Sequence, residues 1–344
     1  AIAEAAIRAG CDAYFGYPIT PQSEVLEYLM AEKPHERTGM VVLQAESEVA
    51  AINMVYGAAC TGKKVMTSSS SPGISLMAEG ISYLAGAQLP CVIVNVVRGG
   101  PGLGTIQPSQ SDYFQSVKGG GHGDYRMLVL APGSVQEMAD HTKLAFELAF
   151  KYRNPVMIQS DGVIGQMMEK VELFDQVPRE HKIDQSWMTV GRPKSRGHNI
   201  VTSLYLDPFV CEQHNIKLQE KYRRMEKEEV RYETYMCDDA EYLMVAYGAS
   251  ARISQKAVNY ARSKGHKVGL FRPITLYPFP NKELLAMAPK LKGILSVEMS
   301  AGQMIDDIKL AVECKVRVEH YGRYGGVIHS PEEVWLGFKK QFLS

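Results

Sequence analysis

The chain has 344 residues, of which 45% are apolar and 22% charged, with 38 Lys and Arg balanced by 38 Asp and Glu. Those values describe a soluble globular protein of about two domains. The balanced charge offers no field to attract nucleic acid or an acidic membrane, and no apolar run reaches the roughly 18 residues of a membrane span, so both partner classes are set aside.

Residues 1–10 (AIAEAAIRAG) predict an amphipathic helix and not a signal peptide. A chain that begins at Ala1, without Met, suggests residues missing before that helix. The cysteines, Cys11, Cys60, Cys91, Cys211, Cys237 and Cys314, form no CxxC. An iron–sulfur or metal site made by this chain alone is not expected, and scattered free thiols suit a reducing cytoplasm.

The first half alternates strand and helix. Strands are expected at 12–16, 40–44, 64–67, 91–97, 127–131 and 155–160, each short and continuously apolar, as in a parallel sheet covered on both faces. Helices are expected at 21–31, 46–60, 73–86 and 134–152, the last opening on the capping box Ser134 and Glu137. Between about 169 and 239 the alternation fails. The stretches VPREHKIDQ and RPKSRGHN read as linker, and residues 218–233 as a solvated helix with charge pairs four apart. Alternation then returns, with strands at 242–247, 267–271, 293–298 and 315–320 and helices at 250–264, 281–287, 303–312 and 331–342. The fold class is α/β, in two domains at 1–168 and 240–344 with a charged helical excursion at 169–239.

Ligands of open parallel sheets bind beyond the carboxyl ends of the strands. Four loops there are polar or rich in Gly and Pro: GYPITPQSE, AESE, TSSSSPG and RGGPGLG. Residues 41–62 are the most informative stretch, a short strand followed by an Ala-rich helix that reads as buried on nearly every side. Glu48 sits at the mouth of that helix. It is either an acidic cap or a carboxylate held in a dry cleft to exchange a proton with a ligand, with Glu46 as its rival. Neither GxGxxG nor GxxxxGK[ST] occurs, which disfavours dinucleotide and Walker-type cradles.

YPITP, Glu48 before its Ala-rich helix, SPGISLM, RGGPG and, near the C-terminus, RPITLYPFP and VEMSAGQM resemble the alpha subunit of the thiamine-diphosphate-dependent 2-oxoacid:ferredoxin oxidoreductases. LQAESEVAAINMVYGAA with GGGHGDYR is most similar to the branched-chain, 2-oxoisovalerate type. The resemblance implies a pyrimidine-binding domain followed by a transketolase-C-terminal-like domain. It implies that Glu48 meets the cofactor's aminopyrimidine ring. There a carboxyl on the ring nitrogen favours the imino tautomer that deprotonates the thiazolium carbon. It further implies that Thr20 hydrogen-bonds the substrate's oxo group, that Arg98 clamps its carboxylate, and that Tyr17, Pro18 and Ile19 line the pyrimidine side. Many relatives carry Gly-Pro-Gly where this chain reads Ser71-Pro72-Gly73, so the turn is expected to differ locally. Met77 and Tyr83 are read as core or as lining of the substrate side-chain pocket. His122 and His141 are read as structural or surface residues.

The GDG…Asn pattern that holds magnesium and diphosphate in related enzymes is not found, nor are cluster cysteines. The resemblance therefore implies half an active site. A beta subunit would bring the diphosphate domain with Mg2+, and small subunits would bring [4Fe–4S] clusters. A branched-chain 2-oxo acid and coenzyme A would give acyl-CoA, carbon dioxide and reduced ferredoxin. The alternatives are a 2-oxoglutarate enzyme, a non-redox thiamine-diphosphate enzyme subunit, or a non-catalytic assembly subunit.

Overall fold

Two sheets, each mainly parallel, organise the protein. The computed structural model describes residues 1–178, 184, 186–191, 194 and 196–343. The strands are β1 (Ala13–Gly16), β2 (Val41–Gln44), β3 (Val65–Ser69), β4 (Cys91–Val97), β5 (Leu128–Leu130), β6 (Pro155–Asp161), β7 (Tyr232–Tyr235), β8 (Tyr242–Val245), β9 (Val268–Pro273), β10 (Thr275–Tyr277), β11 (Gly293–Glu298) and β12 (Val318–Gly322). The first sheet runs β10-β5-β6-β4-β3-β1-β2 and the second β12-β11-β8-β9-β7. The protein is thus α/β, as its strand–helix alternation predicts.

Central strands β3, β4 and β6 are buried along their whole length, so continuous Val, Ile and Met runs can face helices on both sides. The expectation of two covered faces fails at β2. It is an edge strand, and Val41 and Leu43 are 53% and 45% exposed. Both sheets also end in an antiparallel strand that the sequence pattern did not reveal. β10 pairs with β5, so the PITLYP stretch returns from the second half of the chain to close the first sheet. β7 pairs with β9, and Tyr232 stacks on Phe271 at 5.1 Å.

The charged helix expected at 218–233 is instead Pro208–Glu228. Asp207 starts it by accepting from the Phe209 and Val210 amides, with Pro208 in the first turn. Its solvated faces carry the Arg224–Glu228 pair, four residues apart as the charge pattern implies. Leu218, Tyr222 and Met225 nevertheless form a buried stripe. After it, RYETY leaves the helix and enters β7, where aromatic residues favour an extended edge. The linker stretches VPREHKIDQ and RPKSRGHN fall partly on residues 179–183, 185, 192, 193 and 195, outside the described residues.

The two layers share buried polar contacts. Gln110 donates to the Tyr247 carbonyl at 2.9 Å and accepts from the Ser250 hydroxyl at 2.7 Å and the Met299 amide at 3.1 Å. Asp161, at the end of β6, accepts from the Ala249 amide at 3.0 Å. No helix among the described residues is long and apolar enough to cross a membrane.

Candidate active site

Strands β2, β1, β3 and β4 are neighbours in that order. The loops leaving their carboxyl ends therefore meet along one edge, as the four-loop pattern requires.

Glu48 opens the helix Glu48–Cys60, but it is not the cap. Ser47 is, and its hydroxyl accepts from the Ala50 amide at 3.2 Å. Glu46 is exposed, whereas Glu48 is only 6% exposed. Among the described residues no hydrogen bond reaches the Glu48 carboxylate. It lies over Gly73, where a Cβ would stand 2.7 Å from Glu48 Oε1 and well inside contact with Ser69 Oγ. The Ser69 hydroxyl is itself buried with no hydrogen-bond partner among the described residues. The helix behind Glu48 departs from the fully buried reading. Val49, Asn53 and Gly57 are exposed along one stripe, one turn apart.

Ser71 begins the helix Ser71–Gly86 after Ser70, which is extended at φ −135°. It has no left-handed backbone, so serine fits the position without strain. Its hydroxyl accepts from the Arg98 amide at 3.1 Å, with the Arg98 carbonyl at 3.2 Å to receive its proton. The Ser71 amide donates to Asn95 Oδ1, and Asn95 donates to Asp112. Burial pushes the Asp112 carboxyl up, partly offset by bonds from Ser71 and Asn95.

Arg98 is 8% exposed. One terminal nitrogen donates to the Thr20 carbonyl at 3.0 Å and the other to the Leu103 carbonyl at 3.1 Å, while Nε is buried with no partner. Thr20 and Pro18 are exposed, and Tyr17 and Ile19 half-buried. Gln22 steadies this loop by donating to the Tyr17 carbonyl at 3.0 Å and accepting from Ser68 at 2.5 Å. The contacts run Glu48, Gly73, Ser71, Arg98, Thr20, through the first turn of one helix. Gln22, Asn95 and Asp112 were missed in the sequence because nothing local distinguishes them; Gln22 meets Ser68 46 residues away and Asn95 meets Asp112 17 residues away. Met77 is fully buried core. Tyr83 lies three turns along the helix from Gly73, on its outer side beside Glu79 and His122, which does not favour a lining role. His141 is buried, as a structural role requires.

A buried carboxylate without a hydrogen bond, brought close to a partnerless hydroxyl by a glycine that admits both, fits the edge of an aminopyrimidine ring. The ring can offer a protonated nitrogen to the carboxylate. Among the described residues no group of three or more His, Cys, Asp or Glu is placed to hold a metal.

The family model described as "Pyruvate flavodoxin/ferredoxin oxidoreductase, thiamine diP-bdg" matches residues 4–234, and "Pyruvate:ferredoxin oxidoreductase core domain II" matches 240–334. The chain belongs to the 2-oxoacid:ferredoxin oxidoreductases. It is an oxidoreductase subunit with a thiamine-diphosphate-binding domain. Ketoisovalerate oxidoreductase subunit VorB of Methanothermobacter thermautotrophicus is 56% identical, over 93% of this chain and 90% of the relative. The 2-oxoglutarate synthase subunit KorA of Methanocaldococcus jannaschii is 37% identical, over 97% of this chain and 96% of the relative. A 2-oxoglutarate:ferredoxin oxidoreductase from Magnetococcus marinus, with 2-oxoglutarate, coenzyme A and succinyl-CoA bound, superposes with a TM-score of 0.83 at 25% identity. The superposition covers 99% of this chain and 64% of that one. A split-gene transketolase superposes at a TM-score of 0.62 and 13% identity, which shows the shared fold.

Proposed function

We propose that this chain is the alpha subunit of an oxidoreductase that decarboxylates 2-oxoisovalerate. The products are the branched acyl-CoA and carbon dioxide, with the electrons passed to ferredoxin. The site reading is carried by Glu48, a buried carboxylate that no described protein group satisfies. Identity of 56% with a subunit named for ketoisovalerate, against 37% with one named for 2-oxoglutarate, favours the branched substrate.

Thiamine diphosphate, when bound, supplies the electron sink for decarboxylation. Glu48 would hold a proton against the pyrimidine nitrogen, and its apolar helix would keep water out. Tyr17, Pro18 and Ile19 would flank the same ring. The Thr20 hydroxyl would bond the substrate's oxo group. Arg98 would take its carboxylate, using Nε and the hydrogens not spent on the Thr20 and Leu103 carbonyls. The diphosphate, its Mg2+ and the [4Fe–4S] clusters would sit on partner subunits. We place the domains at 1–168 and 240–344 around an excursion at 169–239. The two matched stretches meet between 234 and 240, which supports the second boundary. The complex would work in the cytoplasm.

The test is dye reduction by the complex co-purified with this chain, offered 2-oxoisovalerate, 2-oxoglutarate, pyruvate and indolepyruvate, with and without coenzyme A. Reduction that needs coenzyme A and is fastest with 2-oxoisovalerate is expected. Fastest turnover with another acid would replace the substrate. No reduction by a complex that still binds thiamine diphosphate would favour a non-redox subunit.

A further inference from the structure

Arg98 is held from outside by a carbonyl that has little core beneath it. Leu103, whose carbonyl takes one guanidinium nitrogen, is 82% exposed. It belongs to the excursion 98–108, closed by a bridge between Arg98 and Pro108 and by the Gly99 amide on the Gln107 carbonyl at 2.9 Å. Inside that loop the Thr105 amide donates to the Gly99 carbonyl at 2.8 Å. No helix or strand forms between its ends.

What presses on the excursion comes from the other layer. After β12 the chain turns at residues 324–326 and returns to the helix Pro331–Phe342. A Cβ on Gly99 would stand 2.9 Å from both the Gly325 carbonyl carbon and the Gly326 nitrogen, so two backbones touch there. A Cβ on Gly326 would collide with the Gln107 Cβ and lie 2.8 Å from Thr105 Cγ2. Gly326 has φ +91°, where only glycine is comfortable. The turn is anchored at its base. Arg323 pairs with Glu333, Ser330 and Glu333 form a capping box, and His329 is buried against the Tyr321 ring. The foot of the excursion is tied to the same layer, because the Gln110 amide and the Ser109 hydroxyl both donate to the Met299 carbonyl.

We propose that the turn 324–326 is a brace that positions Arg98 for the substrate carboxylate, with Gly326 as its contact residue. The brace fixes Thr105 and Gln107, these fix the Leu103 carbonyl, and that carbonyl together with Thr20 sets the guanidinium. Gly326 is a positioning residue and touches no reacting atom. The layer that holds no proposed catalytic group thereby tunes substrate affinity. The inference rests on reading Arg98 as the carboxylate clamp.

The test compares Gly326→Ala, Gly325→Ala and Arg98→Gln in the whole complex. Gly325 also has a positive φ, but its Cβ would face open space, so it controls for backbone strain alone. Gly326→Ala is expected to raise KM for the 2-oxo acid about tenfold with kcat within about threefold. It should also speed hydrogen exchange at the Gly99 and Thr105 amides about tenfold, a readout that needs neither substrate nor cofactor. Gly325→Ala should match the native complex in both. If Arg98→Gln raises KM while Gly326→Ala changes neither KM nor exchange, the brace is wrong and the clamp stands. If both glycine variants shift KM and exchange equally, the effect is loop strain and the brace is again wrong. If Arg98→Gln leaves KM unchanged, the clamp reading fails and the brace falls with it.

Discussion

Ser47 and Glu48 divide a task that a single carboxylate could have done. Ser47 satisfies the open helix end, which leaves Glu48 buried with no described group to bond. A buried polar group without a partner costs stability, and on the proposed function the cofactor's ring supplies that partner. Glu48→Gln should therefore lower turnover by on the order of 10²- to 10⁴-fold while leaving thermal unfolding of the chain unchanged or slightly later. Dye reduction and a melting curve on the same preparation check both halves; native turnover in the variant would remove Glu48 from the chemistry. Ser71 is the contrasting case. Its hydroxyl serves the Arg98 main chain on both sides. Ser71→Ala should cost about 1–3 kcal/mol in denaturant unfolding, by leaving a buried amide and carbonyl short of a partner. The sequence sets Glu48 above its rival Glu46 at this helix mouth, but its close approach to Gly73 and Ser69, which lie in other elements, could not be read locally.

Three short helices are pinned together by Glu4. Its carboxylate accepts from Arg8 at 2.8 Å, from Arg37 at 2.9 and 3.0 Å and from Tyr28 at 3.0 Å, joining Ile2–Arg8, Ser23–Glu32 and Pro34–Thr38. The Arg37 bond, aided by Arg8 and Tyr28 against the cost of burial, lowers the carboxyl from 4.5 to about 2. A depressed acid stabilises the fold above its ordinary pKa, and that contribution is lost as pH falls through the folded value. Native stability should thus decline relative to Glu4→Gln between pH 4.5 and about 2, read as the difference of the two melting temperatures across that window. Equal curves would show that the network does not hold these helices. Elements of this kind were legible to different degrees. β1, β4 and residues 155–158 of β6 could be read directly as apolar runs between turn residues, and β3 from its Val65 and Met66 start. β7 and β10 could not, because three or four residues on an antiparallel edge carry no periodicity and depend on distant partners in β9 and β5. The start of Pro208–Glu228 was missed because its exposed Phe209 and Val210 hide the Asp207 cap that precedes them.

At the scale of the molecule, the strand and helix on either side of Glu48 expose apolar side chains. Val41 and Leu43 on the edge strand β2 and Val49 on the following helix are each exposed by 45% or more, beside a carboxylate that is almost wholly buried. Exposed apolar side chains standing alone are ordinary, but here three lie on the edge strand and the helix that flank Glu48 in the sequence. Gly57, on the same stripe as Val49, has open space above it, so a partner's backbone could approach closely. On the proposed function, the diphosphate partner would lie near Glu48, and this face would then be its seat. Val49→Lys should then abolish co-purification of the partner subunits and, with it, dye reduction. Val49 is half exposed, so the isolated variant should lose no more than about 0.5 kcal/mol in stability. Leu310→Lys, at a more exposed position on the helix Met304–Ala311 of the other layer, should leave the complex intact. A Val49→Lys chain that still purifies with its full complement of partners would move the seat elsewhere. Loss with both variants would point to general insolubility rather than to this face.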